Sequence, residues 1–266
     1  MSIYFGDHSW LQLEAILKKD PLIVLPVGMF EQHGPHLPVS TDTDLVWDIC
    51  ESACKTISEE IPVLLLPAVW TGYHGKIVSK WPGGISLRPE TLEHLVYDII
   101  SALIKQGVRK IVIANGHGQN PAILEIVCRK IADDFDVVPL YAMPVFMLGK
   151  EGAKVRTSPQ GGMGGHADEL ETSLMLKIRP DLVDMSKAPC DPHDYRSKYV
   201  AGDMYPEQDM VKGAYWSSFH IQNTKSGAHG DATDATAEKG DAFFEIIYNN
   251  FCELLREYYY FEKKSQ

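Results

Sequence analysis

Short apolar runs alternate with amphipathic helical patterns through the first half of this chain of 266 residues. The apolar runs occupy 22–28, 61–69, 110–115 and 137–142, and helical patterns separate them at 44–57, 88–107 and 120–134. Strands that alternate with helices over short connections form a parallel sheet with helices on both faces. We therefore predict the α/β class, with a three-layer αβα sandwich around a mostly parallel central sheet.

The second half of the chain has a looser pattern but no boundary between domains. A glycine-rich loop runs into a helix at 161–178, the stretch 180–230 is polar and irregular, and a long helix closes the chain. No repeat, low-complexity tract or linker separates these parts. We predict one domain over residues 1–266, with a loop-rich insertion.

The charge and composition of the chain disfavour several classes of partner. The formal net charge of -11 argues against nucleic acid or an anionic membrane as the main partner. No apolar run has the length of a membrane span, and the first residues lack the pattern of a secretory signal. The five cysteines include no CxxC pair. We expect a cytoplasmic protein that acts on a small molecule.

Three clusters of acidic residues and histidines follow apolar segments of the predicted sheet. They contain Glu31, His33, His36, Asp42 and Asp44 in the first, His117 in the second, and His166, Asp168, Glu169 and Glu171 in the third. Taken alone, each cluster has another explanation as a polar turn or as charge at a helix N-terminus. Ligands of open α/β sheets bind beyond the carboxyl ends of the strands, where these loops can meet. Together the clusters predict a divalent-metal site.

Four motifs in the chain resemble those of one known family. They are "EQHGPHLP" with Asp42 downstream, "NGHGQN", "GGHADELETS" and "GDATDATAEKG", and they span nearly the whole chain in this order. The pattern resembles the creatininase (creatinine amidohydrolase) family. The resemblance implies a three-layer αβα fold, a hexameric assembly and two divalent metal ions per chain, with zinc expected first and manganese or iron as alternatives.

The resemblance also assigns roles to individual residues. The implied metal ligands are Glu31, His33, Asp42, His117 and Glu171, with Asp42 bridging the two ions. Two ions about 3.5 Å apart can activate a water and polarise a carbonyl group. Carboxylate and imidazole donors suit zinc, manganese or iron(II). His166 is implied in proton transfer, and His36 is a candidate for a hydrogen bond that orients a ligand.

Departures from the family pattern argue against creatinine as the substrate. Creatinine hydrolases carry a glutamate where this chain has Gln119, and one of the tryptophans that close their sites is replaced by Ala142. Glu169 has an apolar counterpart in those enzymes, so we expect Glu169 to assist His166 in catalysis. The choice between Glu169 and Glu171 as the fifth ligand stays open at this point.

The segment "GYHGKIVSKWPGGISL" (72–87) resembles the substrate-facing loop of the family. We assign His74, Trp81 and Gln119 to substrate binding. For Trp81, packing against the protein is an equally good explanation, and Lys80 beside it is equally well explained as a solvated side chain.

These features support three hypotheses about function. The first is a metal-dependent hydrolase that cleaves a C–N amide bond, cyclic or linear, in a small polar molecule other than creatinine. The second is hydrolytic ring opening of a cyclic keto-polyol or lactone by the same site, because a fold does not fix the reaction. The third is a metal-binding or ligand-binding protein without turnover.

The closing helix favours assembly with other copies of the chain. Its sequence "FFEIIYNNFCELLREYYYF" carries more apolar surface than one helix face hides, which indicates a further packing partner. With the family resemblance, this pattern predicts a homo-oligomer, most simply a hexamer.

Overall fold

The computed structural model describes residues 2–142, 144–159, 161–192, 197–200, 203–205, 214 and 224–261. The helices are α1 (Trp10–Leu17), α2 (Thr41–Ile57), α3 (Pro89–Lys105), α4 (Pro121–Phe135), α5 (Glu169–Ile178) and α6 (Ala237–Phe261). The strands are β1 (Leu22–Val27), β2 (Val63–Leu65), β3 (Lys110–Asn115), β4 (Leu140–Ala142), β5 (Met163–His166), β6 (Cys190–Asp191) and β7 (His229–Asp231).

The middle layer is a parallel sheet with the strand order β2, β1, β3, β4. Its two central strands, β1 and β3, are buried at every position, which explains the apolar runs at 22–27 and 111–114. They pair over their full length, from Leu22 opposite Lys110 to Val27 opposite Asn115. Both strands therefore end at the same level, and the loops that follow them emerge side by side.

Helices cover both faces of this sheet and complete the predicted three layers. Alternate residues of β1 point to opposite faces, as strand geometry requires. Leu22 and Val24 pack with α2, α5 and α6, whereas Ile23 and Leu25 pack with α1, α3 and α4. The α/β class and the αβα sandwich are thus confirmed.

A second, antiparallel sheet of β5, β7 and β6 lies within the part of the sequence that was predicted to be loop. The glycine-rich sequence at 161–166 favours a loop, yet Met163–His166 is a strand. Gly164 shows the physical reason, because a Cβ atom there would lie only 2.0 Å from Nδ1 of His229. Glycine at this position permits close pairing with β7 and is not the mark of a flexible loop.

The start of α2 also differs from the prediction, which placed the helical pattern at 44–57. The helix begins at Thr41, with Ser40 as the N-cap. Threonine and aspartate are weak helix formers, so the helical pattern in the sequence begins only at the apolar residues that follow. As a result, Asp42 lies in the first turn of a helix and not in a loop.

The C-terminal helix α6 buries most of its apolar surface within the chain. Its residues Phe243, Ile247, Phe251, Leu255 and Tyr259 are buried and join the core formed with α2 and α5. Tyr260 and Phe261, at the C-terminal end of the helix, remain 41% and 66% exposed. In the part of the chain that the structure describes, no helix is both long and apolar enough to span a membrane.

Candidate metal centre

Acidic and histidine side chains meet beyond the carboxyl ends of β1 and β3, from the two loops that follow these strands, the first turns of α2 and α5, and the end of β5. Each is at least nine-tenths buried. Their ligand atoms form three overlapping groups, and within each group the atoms lie within 4.8 Å of one another. The groups are Glu31–Asp42–His117, His33–Asp42–Glu171 and Glu31–His33–His166. The structure therefore brings together the five residues that the family resemblance implies as metal ligands, and His166 joins them.

The loop after β3 reaches the first turn of α2 because Gly116 has no side chain. A Cβ atom on Gly116 would lie 2.6 Å from the backbone oxygen of Asp42, which is too close for any other residue. Asn115 then fixes the loop, since its Oδ1 accepts from the backbone N–H of His117 at 3.1 Å. Its Nδ2 donates to the His117 carbonyl oxygen at 2.7 Å. His117 is thereby held against Asp42.

The two carboxylate oxygens of Asp42 face two different histidines. Oδ1 lies 3.3 Å from Nε2 of His33, and Oδ2 lies 2.8 Å from Nδ1 of His117. A second carboxylate accompanies each histidine: Oε2 of Glu171 is 3.6 Å from His33 Nε2, and Oε1 of Glu31 is 3.4 Å from His117 Nδ1. Asp42 therefore lies between two similar sets of donors, the position of a bridging carboxylate.

Backbone carbonyl groups orient the rings of His33 and His117. Nδ1 of His33 lies 3.1 Å from the Glu31 carbonyl oxygen, and Nε2 of His117 lies 3.0 Å from the Tyr73 carbonyl oxygen. A carbonyl oxygen only accepts, so each of these nitrogens donates. In the neutral ring the other nitrogen then carries a lone pair directed into the cluster, as metal binding requires.

The pKa shifts in the cluster are those of a buried site in which the negative charge of the carboxylates lacks a compensating cation. Burial raises the pKa of Glu31, and it raises the pKa of Glu171 to about 8. Although burial acts to lower the pKa of His33, the carboxylate of Asp42 raises it to about 10. Burial likewise opposes protonation of His117, but Glu31 and Asp42 raise its pKa to about 9. The cluster holds protons that divalent cations would displace.

The donor set fits two divalent ions. Oε2 of Glu31 is buried and has no hydrogen-bond partner among the described residues, a costly state for a carboxylate oxygen. Carboxylate oxygens and imidazole nitrogens, without sulfur, suit zinc, manganese or iron(II). One ion fits the group Glu31–Asp42–His117, and a second fits His33–Asp42–Glu171, with Asp42 common to both.

His166 differs from the two histidines above in its surroundings. Its Nδ1 lies 3.5 Å from Oε1 of Glu31, and its ring contacts that of His33 with centroids 4.5 Å apart. Burial and the nearby His33 lower the pKa of His166 well below its ordinary value, so the ring is neutral. Its Nε2 contacts the side chain of Gln32. Gln32 was not recognised from the sequence, although it lies between two predicted ligands in "EQHGPH".

Glu169, expected to assist His166, is held elsewhere by the structure. Its side chain accepts hydrogen bonds from the backbone N–H groups of Thr157 and Ser158, both at 3.0 Å. Nζ of Lys239 lies 2.6 Å from Oε1. Although burial acts to raise the pKa of Glu169, Lys239 and Ser158 hold it below its ordinary value. These contacts do not support assistance to His166, because both carboxylate oxygens are already engaged, and Glu171 is the glutamate that enters the cluster.

This buried ion pair gives a first prediction. Glu169→Gln should lower the free energy of unfolding by about 2–3 kcal/mol, below the usual cost for a fully buried pair because 16% of the Lys239 side chain is exposed. The double variant Glu169→Gln/Lys239→Met should recover part of this loss, since it removes both charges. Urea denaturation measures both effects, with Glu238→Gln on the exposed side of α6 as control. Loss of bound metal from Glu169→Gln would show instead that Glu169 is a ligand.

The segment 72–87 lies beside the cluster, because the Tyr73 carbonyl oxygen contacts His117, and Gln119 holds the segment at Gly75. Oε1 of Gln119 accepts from the backbone N–H of Gly75 at 2.7 Å. His74 is buried, and its Nε2 lacks a hydrogen-bond partner within the described ranges. Trp81 is half-buried, with the Lys80 ammonium 5.8 Å from its ring centroid. Of the three predicted substrate contacts, Gln119 therefore binds the residue that follows His74, whereas Trp81 lies beside Lys80.

The sequence proposed His36 as a residue that orients a metal ligand. In the structure it contacts the residue next to one predicted ligand, Glu171. Its Nε2 lies 2.8 Å from the hydroxyl of Thr172, the residue after Glu171. Burial and the nearby His33 lower the pKa of His36 to about 4, so this ring stays neutral. The contact ties the loop after β1 to the first turn of α5, which presents Glu171.

Residues 6–255 match the family model described as "Creatininase: Creatinine amidohydrolase". The creatinine amidohydrolase of Pseudomonas putida is 30% identical over 96% of this chain and 97% of its own length. The 3-dehydro-scyllo-inosose hydrolase of Thermotoga maritima is 28% identical over 96% of this chain and 83% of its own. The mycofactocin precursor peptide peptidase of Mycolicibacterium smegmatis is also 28% identical, over 95% and 90%.

Solved structures of creatininases have a fold similar to that of this chain. The structure described as "Creatininase Mn" superposes with a TM-score of 0.77 at 26% identity, covering 97% of this chain and 98% of that one. A creatininase mutant of the "Zn-Zn type" gives the same TM-score at 27% identity and the same coverage. Similar folds thus occur in proteins described with manganese or zinc.

Proposed function

The chain belongs to the creatininase family of metal-dependent amidohydrolases, and on this premise we propose that it hydrolyses a C–N amide bond in a small polar molecule. The bond is cyclic or linear, and creatinine is not the expected substrate. The proposal includes two divalent ions per chain, with zinc as the first choice and manganese or iron as alternatives.

One observation carries this proposal, namely the position of Asp42 between two matched donor sets. Its oxygens face His33 and His117 separately, at 3.3 and 2.8 Å. A single metal site would need only one of these sets. A carboxylate shared by two sets is the arrangement of two-metal hydrolases, in which bound ions supply an activated water and polarise the scissile carbonyl group.

The side chains of the cluster have separate tasks in this proposal. Glu31, Asp42 and Glu171 provide negative charge in a buried space, and His33 and His117 direct lone pairs into it. His166 lies at the edge of the cluster with its Nδ1 toward Glu31. A proton on this nitrogen can form a hydrogen bond to the substrate carbonyl oxygen or pass to a leaving nitrogen.

Gln119 supports a substrate other than creatinine. It replaces the glutamate of creatinine hydrolases, and its amide cannot act as a base at neutral pH. Its oxygen also accepts from Gly75, so it shapes the segment that carries His74. We assign His74 to substrate binding because its buried Nε2 still lacks a partner within the described residues. Such a group suits a polar atom of a small substrate.

A second candidate reaction is hydrolytic ring opening of a cyclic keto-polyol or lactone. The observation that favours it is the 28% identity to a 3-dehydro-scyllo-inosose hydrolase over 96% of this chain. The same donor set would serve that reaction. A binding protein without turnover is a weaker candidate, because binding alone does not require His166 beside a complete donor set.

A substrate panel tests the proposal and gives a second prediction. After reconstitution with zinc, and separately with manganese, we expect turnover of small cyclic or linear amides that stops when the metal is chelated. Creatinine turnover should be absent or very weak, and Gln119→Glu alone should not restore it, because Ala142 also replaces one of the tryptophans that close the sites of creatinine hydrolases. Turnover of keto-polyols or lactones alone would select the second candidate. Efficient creatinine hydrolysis by the unmodified protein would contradict the substrate assignment.

We also propose a cytoplasmic homo-oligomer, with a hexamer as the expected form. The family resemblance supports the assembly, and the exposed side chains of Trp10, Trp70 and Ile85 offer apolar surface for it. All five cysteines are free, in keeping with a reducing compartment. Light scattering at micromolar concentration should give a mass above that of a dimer, and a stable monomer would contradict this prediction.

A further inference from the structure

Three histidines border the cluster, and each is held through the nitrogen that points away from it. For His33 and His117 the partner of that nitrogen is a backbone carbonyl oxygen, at 3.1 and 3.0 Å. For His166 the partner is Nε2 of Gln32, at 2.9 Å. A carbonyl oxygen only accepts hydrogen bonds, whereas an amide nitrogen only donates them. The partner of His166 therefore has the opposite polarity.

The orientation of the Gln32 amide is determined by two backbone groups. Its Oε1 accepts from the backbone N–H of Gly34 at 2.9 Å. Its Nε2 donates to the carbonyl oxygen of Gly227 at 2.8 Å. A rotated amide would place a donor against the Gly34 N–H and an acceptor against the Gly227 oxygen, so both contacts would become repulsive. Such a pair of backbone partners is the information that fixes an amide orientation.

The second N–H of this amide is then directed at His166. Because it donates, Nε2 of His166 must accept and carries no proton. The single proton of the neutral ring lies on Nδ1, the nitrogen that faces Glu31. We infer that Gln32 is a positioning residue that keeps the proton of His166 on Nδ1 and so makes His166 a hydrogen-bond donor to the substrate.

This assignment resolves an ambiguity in the donor set. Nδ1 of His166 lies in one of the three metal-competent groups, with Glu31 and His33. A nitrogen that bears a proton has no lone pair for a metal ion. Gln32 thus excludes His166 from the ligand set and reserves it for substrate. In this role the neutral ring donates a hydrogen bond to the substrate carbonyl oxygen and stabilises the negative charge that develops there. The proton stays on His166.

The use of this hydrogen bond rests on the proposed function, but the position of the proton does not. Solid-state NMR of zinc-loaded protein with ¹³C,¹⁵N-labelled histidine reads that position without substrate. His166→Gln identifies the signals by difference. Nε2 is recognised by its bond to Cδ2, and Nδ1 by its bond to Cγ. We expect His166 to show a protonated Nδ1 and an unprotonated Nε2, and a proton on Nε2 would overturn the inference.

Two substitutions at Gln32 test whether this residue determines the position of the His166 proton. In Gln32→Glu the carboxylate can only accept, so the proton of His166 should move to Nε2, whereas Gln32→Met should leave a mixture of both forms. With an active substrate, Gln32→Glu should lower kcat about 10–100-fold and change KM less, the usual range for a residue that orients a site. Gln106→Glu, on an exposed helix end, is the matched control. An unchanged proton position in both Gln32 variants would refute the role of Gln32, whatever substrate the panel finds.

Discussion

Asp42→Asn should empty both metal positions and lower kcat/KM by about 10³-fold or more, because several kcal/mol of charge stabilisation depend on the ions. The carboxylate of Asp42 contacts His33 through one oxygen and His117 through the other. An amide of the same size offers one neutral oxygen and an N–H₂ group, which repels a cation. One substitution should therefore weaken both sites at once, as measured by metal content after dialysis.

A neighbouring carboxylate provides the control for this experiment. Asp44 lies in the same first turn of α2, accepts from the hydroxyl of Ser40 at 2.7 Å and belongs to none of the three metal-competent groups. Asp44→Asn should leave metal content and activity close to those of the unmodified protein. If Asp42→Asn kept two metals per chain and full activity, the bridging role would be wrong.

His166→Ala should lower kcat by roughly 10²–10⁴-fold while metal content stays near that of the unmodified protein. The physical reason is that this ring borders the cluster without being needed to complete either donor set around Asp42. The substitution removes a hydrogen-bond donor from the reaction space and leaves Glu31, His33 and Glu171 in place. Steady-state kinetics and metal analysis on the same preparation separate the two effects.

The matched control is His94→Ala, because His94 is an exposed histidine on α3. It should leave both kcat and metal content unchanged. Loss of one metal from His166→Ala would assign His166 to the ligand set through its group with Glu31 and His33. Unchanged kcat with full metal content would remove His166 from the reaction.

The central layer of the fold could be predicted because local pattern and burial agree there. The runs 22–27 and 111–114 are apolar since both faces of β1 and β3 are covered, and α3 carries a proline in its first turn. The β5–β7 pairing could not be predicted, because it joins segments that are 63 residues apart at the His166–His229 pair. Glycine near that contact reflects close approach, which only the partner strand reveals.

The candidate site could likewise be predicted only in part from the sequence. The types of the ligands and their places after the strands are visible in the sequence, and the family resemblance selects among them. The direction of a side chain is not visible there. Glu169 turns to Lys239, 70 residues away, and Gln32 contacts Gly227, 195 residues away. Both contacts depend on how distant segments pack, so the sequence alone favoured assistance to His166 by Glu169 and gave no role to Gln32.

Anomalous diffraction from crystals of the zinc-loaded protein tests the two-metal site most directly. Difference maps at the zinc edge should show two peaks per chain about 3.5 Å apart, the separation typical of two-metal hydrolases. One peak should lie between Glu31 and His117, the other between His33 and Glu171, with an oxygen of Asp42 bound to each. A single peak, or a second peak away from Asp42, would contradict the proposed site.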